Sequence, residues 1–270
     1  MFQFISFGSG SSGNCYLLAY QNESDLFARR TTILIDAGVG IRTLQSAMNR
    51  YGHSLPAVDA LLLTHDHSDH ARNAAKLNGK YGMEVYATEK TFDGIRRNPT
   101  IKSVPVVAEK CLVQYRQMFR IGDFSITAYP VCHDSMDCVA YKIEVGGKVF
   151  ALITDCGEIS MELGHLISAS NYLVLESNHD VGMLRGGRYP AWLQRRVEGS
   201  HGHLSNEACA AALEQYLSND IENVFLCHLS AENNRESLAL ETSAGIVSRF
   251  KNASLVVLPR RAVELFDLSF

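Results

Sequence analysis

The sequence predicts an α/β protein built from two sheets covered by helices, and three observations predict it. Apolar, β-branched runs alternate with stretches of helical spacing along most of the chain. The pattern Ile35-Asp36-Ala37-Gly38 returns as Thr154-Asp155-Cys156-Gly157, so each half has an apolar strand ending in Asp with Gly two residues later. No Pro/Ser/Gly-rich linker or low-complexity block separates the halves, which predicts one domain over residues 1–270. Composition fits this: 46% hydrophobic and 20% charged residues are ordinary for a globular protein that buries a sizeable core.

Residues 2–7 and 15–20 read as paired strands joined by the loop GSGSSGN, residues 8–14. A buried strand at 31–36 precedes a helix at 41–51, whose apolar positions are Ile41, Leu44, Met48 and Tyr51. The strand at 60–63 runs into THDHSDH, residues 64–70, where Ser68 is the expected N-cap of one helix reaching about Lys80. A short strand at 83–87 and a helix at 89–97 capped by Thr88 follow. Strand-like runs fill 104–145, among them 124–131 and 139–145, with turns at Gly122-Asp123 and Gly146-Gly147. The second half alternates strand 148–153, helix 161–169, strand 172–176, helix 205–217, strand 223–227 and helix 237–250, and a strand at 255–258 closes the chain.

The seven residues Thr64 to His70 hold three imidazoles and two carboxylates, which packing does not explain. His and Asp are poor core residues, and a run of them after an apolar strand needs a partner that offsets desolvation. A metal ion is the simplest one. His65 and His67, at i and i+2 of an extended turn, point the same way, and Asp69 and His70 reach a second point, so the spacing predicts two adjacent cations. His133, Asp155 and His228 also stand just past strands, where they can converge on one sheet edge.

These residues resemble the metallo-β-lactamase superfamily, whose four-layer αββα sandwich binds two metals through HxHxDH, a later His, a bridging Asp and a final His. The resemblance implies that His65, His67 and His133 hold one divalent ion, Asp69, His70 and His228 the other, and Asp155 bridges them. This all-N/O set suits Zn, Mn or Fe. GSGSSGN, ESNHD at 176–180, GHLSN at 202–206 and HLSAENN at 228–234 are further similar to the YycJ/WalJ group of small exonucleases, described as acting 5′ to 3′ on DNA. Residues 156–227 leave no room for the large β-CASP insertion of other nuclease branches.

Two cations about 3.5 to 4 Å apart can turn a bridging water into hydroxide and hold both oxygens of an in-line displacement at phosphorus. Asp69 is the expected proton acceptor, with Asp66 as an alternative base or a partner that orients a ligand histidine. His179 and His203 are candidate donors to a phosphate or leaving group, and each could equally be a structural hydrogen-bonding residue. Ser205 and Asn206 open a helix whose N-terminus suits a phosphate. The glycine-rich loop offers Ser9, Ser11, Ser12 and Asn14, by composition either a phosphate cradle or a flexible connection. Ser230, Asn233 and Asn234 follow His228 and either bind substrate or shape that loop. Arg188, with Arg185, Arg195, Arg196, Tyr189 and Trp192, forms a basic, aromatic stretch suited to nucleic acid, or else a solvated helix with one buried Trp. His53, His165 and His201 match no motif.

The expected activity is therefore metal-dependent phosphodiester hydrolysis, with DNA carrying accessible 5′ ends as the partner. Rival readings are a hydrolase of small esters, thioesters or lactams, and a metal-stabilised signalling regulator without turnover. A net charge of -4 gives no general attraction to polyanions, so any contact with nucleic acid must be local. Seven cysteines without a CxxC pair predict reduced thiols. With no basic leader and no run of about 18 apolar residues, a cytoplasmic location and no membrane contact are expected. The sequence carries no signal of oligomeric state.

Overall fold

Two sheets face each other because their strands are apolar on both sides. The first comprises, in spatial order, β13 (Glu264–Asp267), β1 (Phe2–Gly8), β2 (Cys15–Tyr20), β3 (Thr31–Ile35), β4 (Ala60–Leu62) and β5 (Glu84–Tyr86). The second runs β12 (Ser254–Val257), β11 (Asn223–Cys227), β10 (Tyr172–Glu176), β9 (Lys148–Ile153), β8 (Val139–Val145), β7 (Phe124–Pro130) and β6 (Phe119–Ile121). This computed structural model describes residues 1–25, 27–106, 108 and 111–268. Residues 107, 109 and 110 of the strand-like stretch 104–145, and 26, 269 and 270 of the expected domain, lie outside the described residues.

The period-2 geometry of strands sorts side chains between layers. Phe2 and Phe4 of β1, Ile33 and Ile35 of β3, and Tyr172 and Val174 of β10 fill the space between the sheets. Their neighbours face outward: Ile5, Phe7 and Leu34 pack against α1 (Ile41–Arg50), α3 (Ala74–Tyr81) and α4 (Glu89–Arg97), which bury Met48, Leu77 and Phe92. Leu173 and Leu175 pack against α5 (Met161–Ala169), α8 (Asn206–Tyr216) and α9 (Glu236–Val247). The result is the four-layer αββα sandwich. Among the described residues, no helix is long and apolar enough to cross a membrane.

Each sheet changes direction once. β3 is antiparallel to β2 and parallel to β4, and β9 is antiparallel to β8 and parallel to β10. Both switch strands end in the repeated Asp-x-Gly, and both aspartates take left-handed backbone, Asp36 at φ 60° and Asp155 at φ 51°. Each glycine then allows a close crossing: a Cβ on Gly38 would come within 1.5 Å of the Asp69 carbonyl oxygen, and one on Gly157 within 2.1 Å of that of Ser200. Such switch points leave a crevice beyond the strand ends.

The structure corrects several expectations. The single helix at 68–80 is two, α2 (Ser68–Ala71) and α3, and the N-cap of α2 is His67, with Ser68 inside the helix. The ladder breaks because its groups bond to other loops: Asn14 N donates to Asp69 O, Ala37 N to His70 O, and Asn73 N to Ala37 O. The chain closes not with β12 but with β13, which returns to the first sheet and pairs antiparallel with β1. Residues 181–198 form two further helices, α6 (Val181–Gly186) and α7 (Ala191–Glu198). Trp192 on α7 is 61% exposed, which rules out the buried-Trp reading of that stretch.

Candidate metal centre

THDHSDH follows β4 and is strapped to the second sheet at three points. Val139 N donates to Thr64 O, Tyr141 Oη to Leu63 O, and His65 forms a bridge with Cys138. Loops after β7, β9 and β11 bring His133, Asp155 and His228, and the last residue of β10 brings Glu176, to the same crevice.

Potential ligand atoms lie within 4.8 Å of one another in four overlapping groups: His65, His67 and His133; Asp69, His70 and His228; His65, His70 and Asp155; and Asp155, Glu176, His203 and His228. Asp155 joins the first two groups. Its Oδ2 lies 3.2 Å from His70 Nε2, and its Oδ1 lies 3.5 Å from His228 Nε2 and 3.8 Å from His133 Nε2.

Four imidazoles are fixed through Nδ1, which leaves Nε2 for the crevice. His65 Nδ1 meets Thr64 Oγ1 at 3.0 Å, and that hydroxyl in turn donates to Asp36. His70 Nδ1 meets Asp36 Oδ2 at 2.7 Å, His133 Nδ1 the Gly202 carbonyl at 3.0 Å, and His228 Nδ1 Glu176 Oε1 at 2.8 Å. His67 is reversed, with Nδ1 inward at 3.3 Å from His133 Nε2. Nε2 of His65 and of His228 are buried without a hydrogen-bond partner. A divalent cation satisfies such orphaned nitrogens, and the all-N/O donor set fits one.

Among the side chains alone, charge divides unevenly. Burial, reinforced by His70, pushes His65 well below the usual imidazole range. Burial opposes charge on His70 as well, yet Asp155, Asp36 and Asp69 together hold it well above that range. His228 is likewise raised to about 10 against its burial, by Asp155, Asp69 and Glu176. Asp155 and Glu176 resist burial through their histidines, Asp155 held well below the carboxylate range and Glu176 at about 2.

Sequence reasoning overlooked Glu176 and undervalued Asp36. Glu176 is fully buried and saturated: Oε1 accepts from His203 and His228, and Oε2 from the amides of Cys156 and Leu204. Its signal was a carboxylate ending the apolar run YLVLE. That of Asp36 was its repeat with Asp155.

The other candidates divide into two sets. His203 stands at the crevice, side chain 20% exposed, its ring 5.1 Å from that of His133 and 5.3 Å from that of His228. Asn14 Nδ2 lies 2.8 Å from His70 Nε2 and 3.4 Å from Asp69 Oδ2. Ser9 is buried, with Oγ accepting from His228 N and bonded to Tyr16 Oη, so it braces the His228 loop. Asn206 and Asn234 exchange amide bonds in the core, Ser205 caps α8, and Ser230 accepts from Asn233 N; these shape loops. His179 is buried, its carbonyl accepting from Asn206 N, and it belongs to none of the four ligand groups. Asp66 accepts from Met136 N and lies against α4 at Gly94; among the described residues it bonds no histidine. Ser11, Ser12 and Arg188 are exposed; Arg185 and Arg196 pair with Glu198 and Asp134.

Residues 31–228 match the family model described as beta-lactamase superfamily domain. The chain is 32% identical to the exodeoxyribonuclease WalJ of Streptococcus pneumoniae over 256 residues, covering 95% of this chain and 91% of the relative. It is also 32% identical to the exodeoxyribonuclease YycJ of Bacillus anthracis, covering 87% and 85%. Among solved structures, the metallo-beta-lactamase fold protein YhfI of Bacillus subtilis superposes with a TM-score of 0.67 at 15% identity, over 98% of this chain and 100% of that one. That fold, with the His/Asp groups at its strand ends, implies bound divalent metal. A family match over most of the chain and relatives aligned nearly end to end give one conclusion: the chain belongs to the β-lactamase superfamily.

Proposed function

We propose that this metal-dependent hydrolase is a dinuclear phosphodiesterase that degrades DNA from accessible 5′ ends. His65, His67 and His133 would hold one divalent ion and Asp69, His70 and His228 the other, with Asp155 as a ligand available to both. The observation that carries this reading is the split of Asp155, with Oδ2 toward His70 and Oδ1 toward His133 and His228. The two related exodeoxyribonucleases support a polynucleotide substrate; the polarity is taken from the motifs that resemble the YycJ/WalJ group. Zn, Mn and Fe all fit the donor set.

Two bound divalent ions lower the pKa of a water and neutralise charge on the attacking and leaving oxygens. The chain's own groups orient and exchange protons. Asp69, side chain 23% exposed and held below the usual carboxylate range by His70 and His228 against its burial, stays ionised and accepts a proton. His203, held above the usual imidazole range by Glu176 against its burial, donates to a phosphate or leaving oxygen. Asp36 and Glu176 lock the rings of His70 and His228. Residues 1–270 act as one domain, since both sheets share one core. Seven free cysteines suit a reducing cytoplasm.

The test is digestion of end-labelled DNA and RNA bearing 5′-phosphate or 5′-hydroxyl ends, with Zn, Mn or Fe added, beside a bis-aryl phosphodiester and a thioester. Stepwise loss of nucleotides from DNA 5′ ends with no thioester cleavage is expected. Thioester turnover without cutting of either polymer would overturn the proposal.

A further inference from the structure

A cavity of about 420 Å³ opens between the Gly8–Asn14 loop, the loop after His228 and the segment ahead of β13, lined among others by Ser11, Ser12, Glu236, Arg260 and Arg261. It adjoins the metal centre through both loops. Asn14 of the first touches His70 and Asp69, and Ser9 receives the backbone amide of His228. Arg260 spans the two: its stem lies on Gly10, where a Cβ would meet Arg260 Cγ at 3.3 Å, and its guanidinium donates to the Ser230 carbonyl at 2.9 Å. That bond uses one of five guanidinium N–H donors. Among the described residues, the side chain of Arg261 makes no ion pair or hydrogen bond, and neither do the hydroxyls of the exposed Ser11 and Ser12. The Ser12 carbonyl is tied back by Arg72, which fixes the loop from the other side.

We propose that this cavity is a second anion subsite, holding an internal phosphodiester of the nucleic-acid strand while another is cleaved at the metals. The inference rests on the nuclease reading above. Hydroxyls and planar guanidinium donors suit phosphate oxygens. Two arginines against Glu236 leave one net positive charge, which matches a singly charged diester better than a doubly charged terminal phosphate. Ser11 and Ser12 lie on a loop whose Ser9 and Asn14 are bonded into the metal centre, so a strand seated here is registered against the scissile linkage. In a protein of net charge -4, such a local site supplies the attraction that the overall field lacks.

The experiment measures binding of a short phosphorothioate-linked DNA strand to the metal-loaded protein by fluorescence anisotropy across a salt series. Arg261→Gln should weaken binding about tenfold and reduce the salt slope by about one, and Arg261→Lys should recover most of the loss. Ser11→Ala with Ser12→Ala should weaken binding with the slope kept. The effect should be the same for strands with 5′-phosphate and 5′-hydroxyl ends. Arg260→Gln can disturb the Ser230 loop, so Arg261 carries the test. Unchanged affinity and slope in Arg261→Gln overturn the subsite while leaving the nuclease reading intact, and loss confined to 5′-phosphorylated strands overturns it in favour of an end-recognition pocket. No strand binding by the unaltered protein overturns both.

Discussion

Asp36 and Asp155 occupy the same place in two halves of one design, and they do different work. Each ends the strand where its sheet turns from antiparallel to parallel, each has left-handed backbone, and each is followed by a glycine crossed by another carbonyl. Asp155 faces the crevice, its oxygens shared among His70, His133 and His228. Asp36 lies behind it, bonded to His70 Nδ1 and to the amide and hydroxyl of Thr64. The backbone device delivers a carboxylate to the strand end, and the neighbouring loops decide what it serves. In the first half the histidine motif fills the crevice and Asp36 orients it. The second half contributes Asp155 itself.

Asp155→Ala should separate the two most sharply. Phosphodiester turnover should fall by about 10³-fold, several kcal/mol of barrier, with bound metal reduced by elemental analysis. Asp36→Ala should lower metal affinity less, chiefly through His70, which loses its Nδ1 partner, and only at one remove through His65, held by the Thr64 hydroxyl, so equal losses in the two variants would remove the distinction. The glycines come next. Gly38→Ala drives a Cβ into the Asp69 carbonyl and should cost more than about 3 kcal/mol in denaturant unfolding, Gly157→Ala somewhat less.

Smaller effects probe the orienting carboxylates. Glu176→Gln should lower metal affinity about 10- to 100-fold, as should Asp36→Asn, because each leaves a crevice histidine less well held; competition with a chromophoric chelator measures both. Last is pH. His228, raised to about 10, is protonated at neutral pH in metal-stripped protein, so binding a cation there must release a proton and affinity should rise with pH. Calorimetry in buffers of different ionisation enthalpy detects that release. The same raised pKa adds stability to the stripped protein that is fully present below about 6.5 and is lost as pH rises through about 10. Glu176, depressed to about 2, stabilises above its unfolded value and loses that contribution as pH falls through about 2.

The αββα order, most strand ends and the convergence of His65, His67, Asp69, His70, His133, Asp155 and His228 could be read from residue types, spacing and resemblance. What escaped depends on partners distant in sequence. The break at Asn73 exists because Asn14 and Ala37 compete for carbonyls that a helix would use. Glu176 looks like any strand-terminal acid until folding sets His203 and His228 against it. Ser9, Asn206 and Asn234 look like substrate groups in a polar motif; in the fold all three are buried and hydrogen-bonded to neighbouring loops. The two readings of Trp192, accessible or buried, separate only in the fold, because α7 buries none of its residues and local periodicity does not reveal that.

The pairing of β13 with β1 has a consequence for how the protein is made. Residues 264–267 pair with residues 3–6, some 260 positions away along the chain. Until that segment has been synthesised and has docked, β1 presents an unpaired edge, its backbone donors and acceptors open to any passing strand. The sheet that carries the histidine motif is therefore completed by residues from the far side of the second sheet in sequence. Loss of residues beyond about 263 should show as aggregation during synthesis before it shows as loss of chemistry.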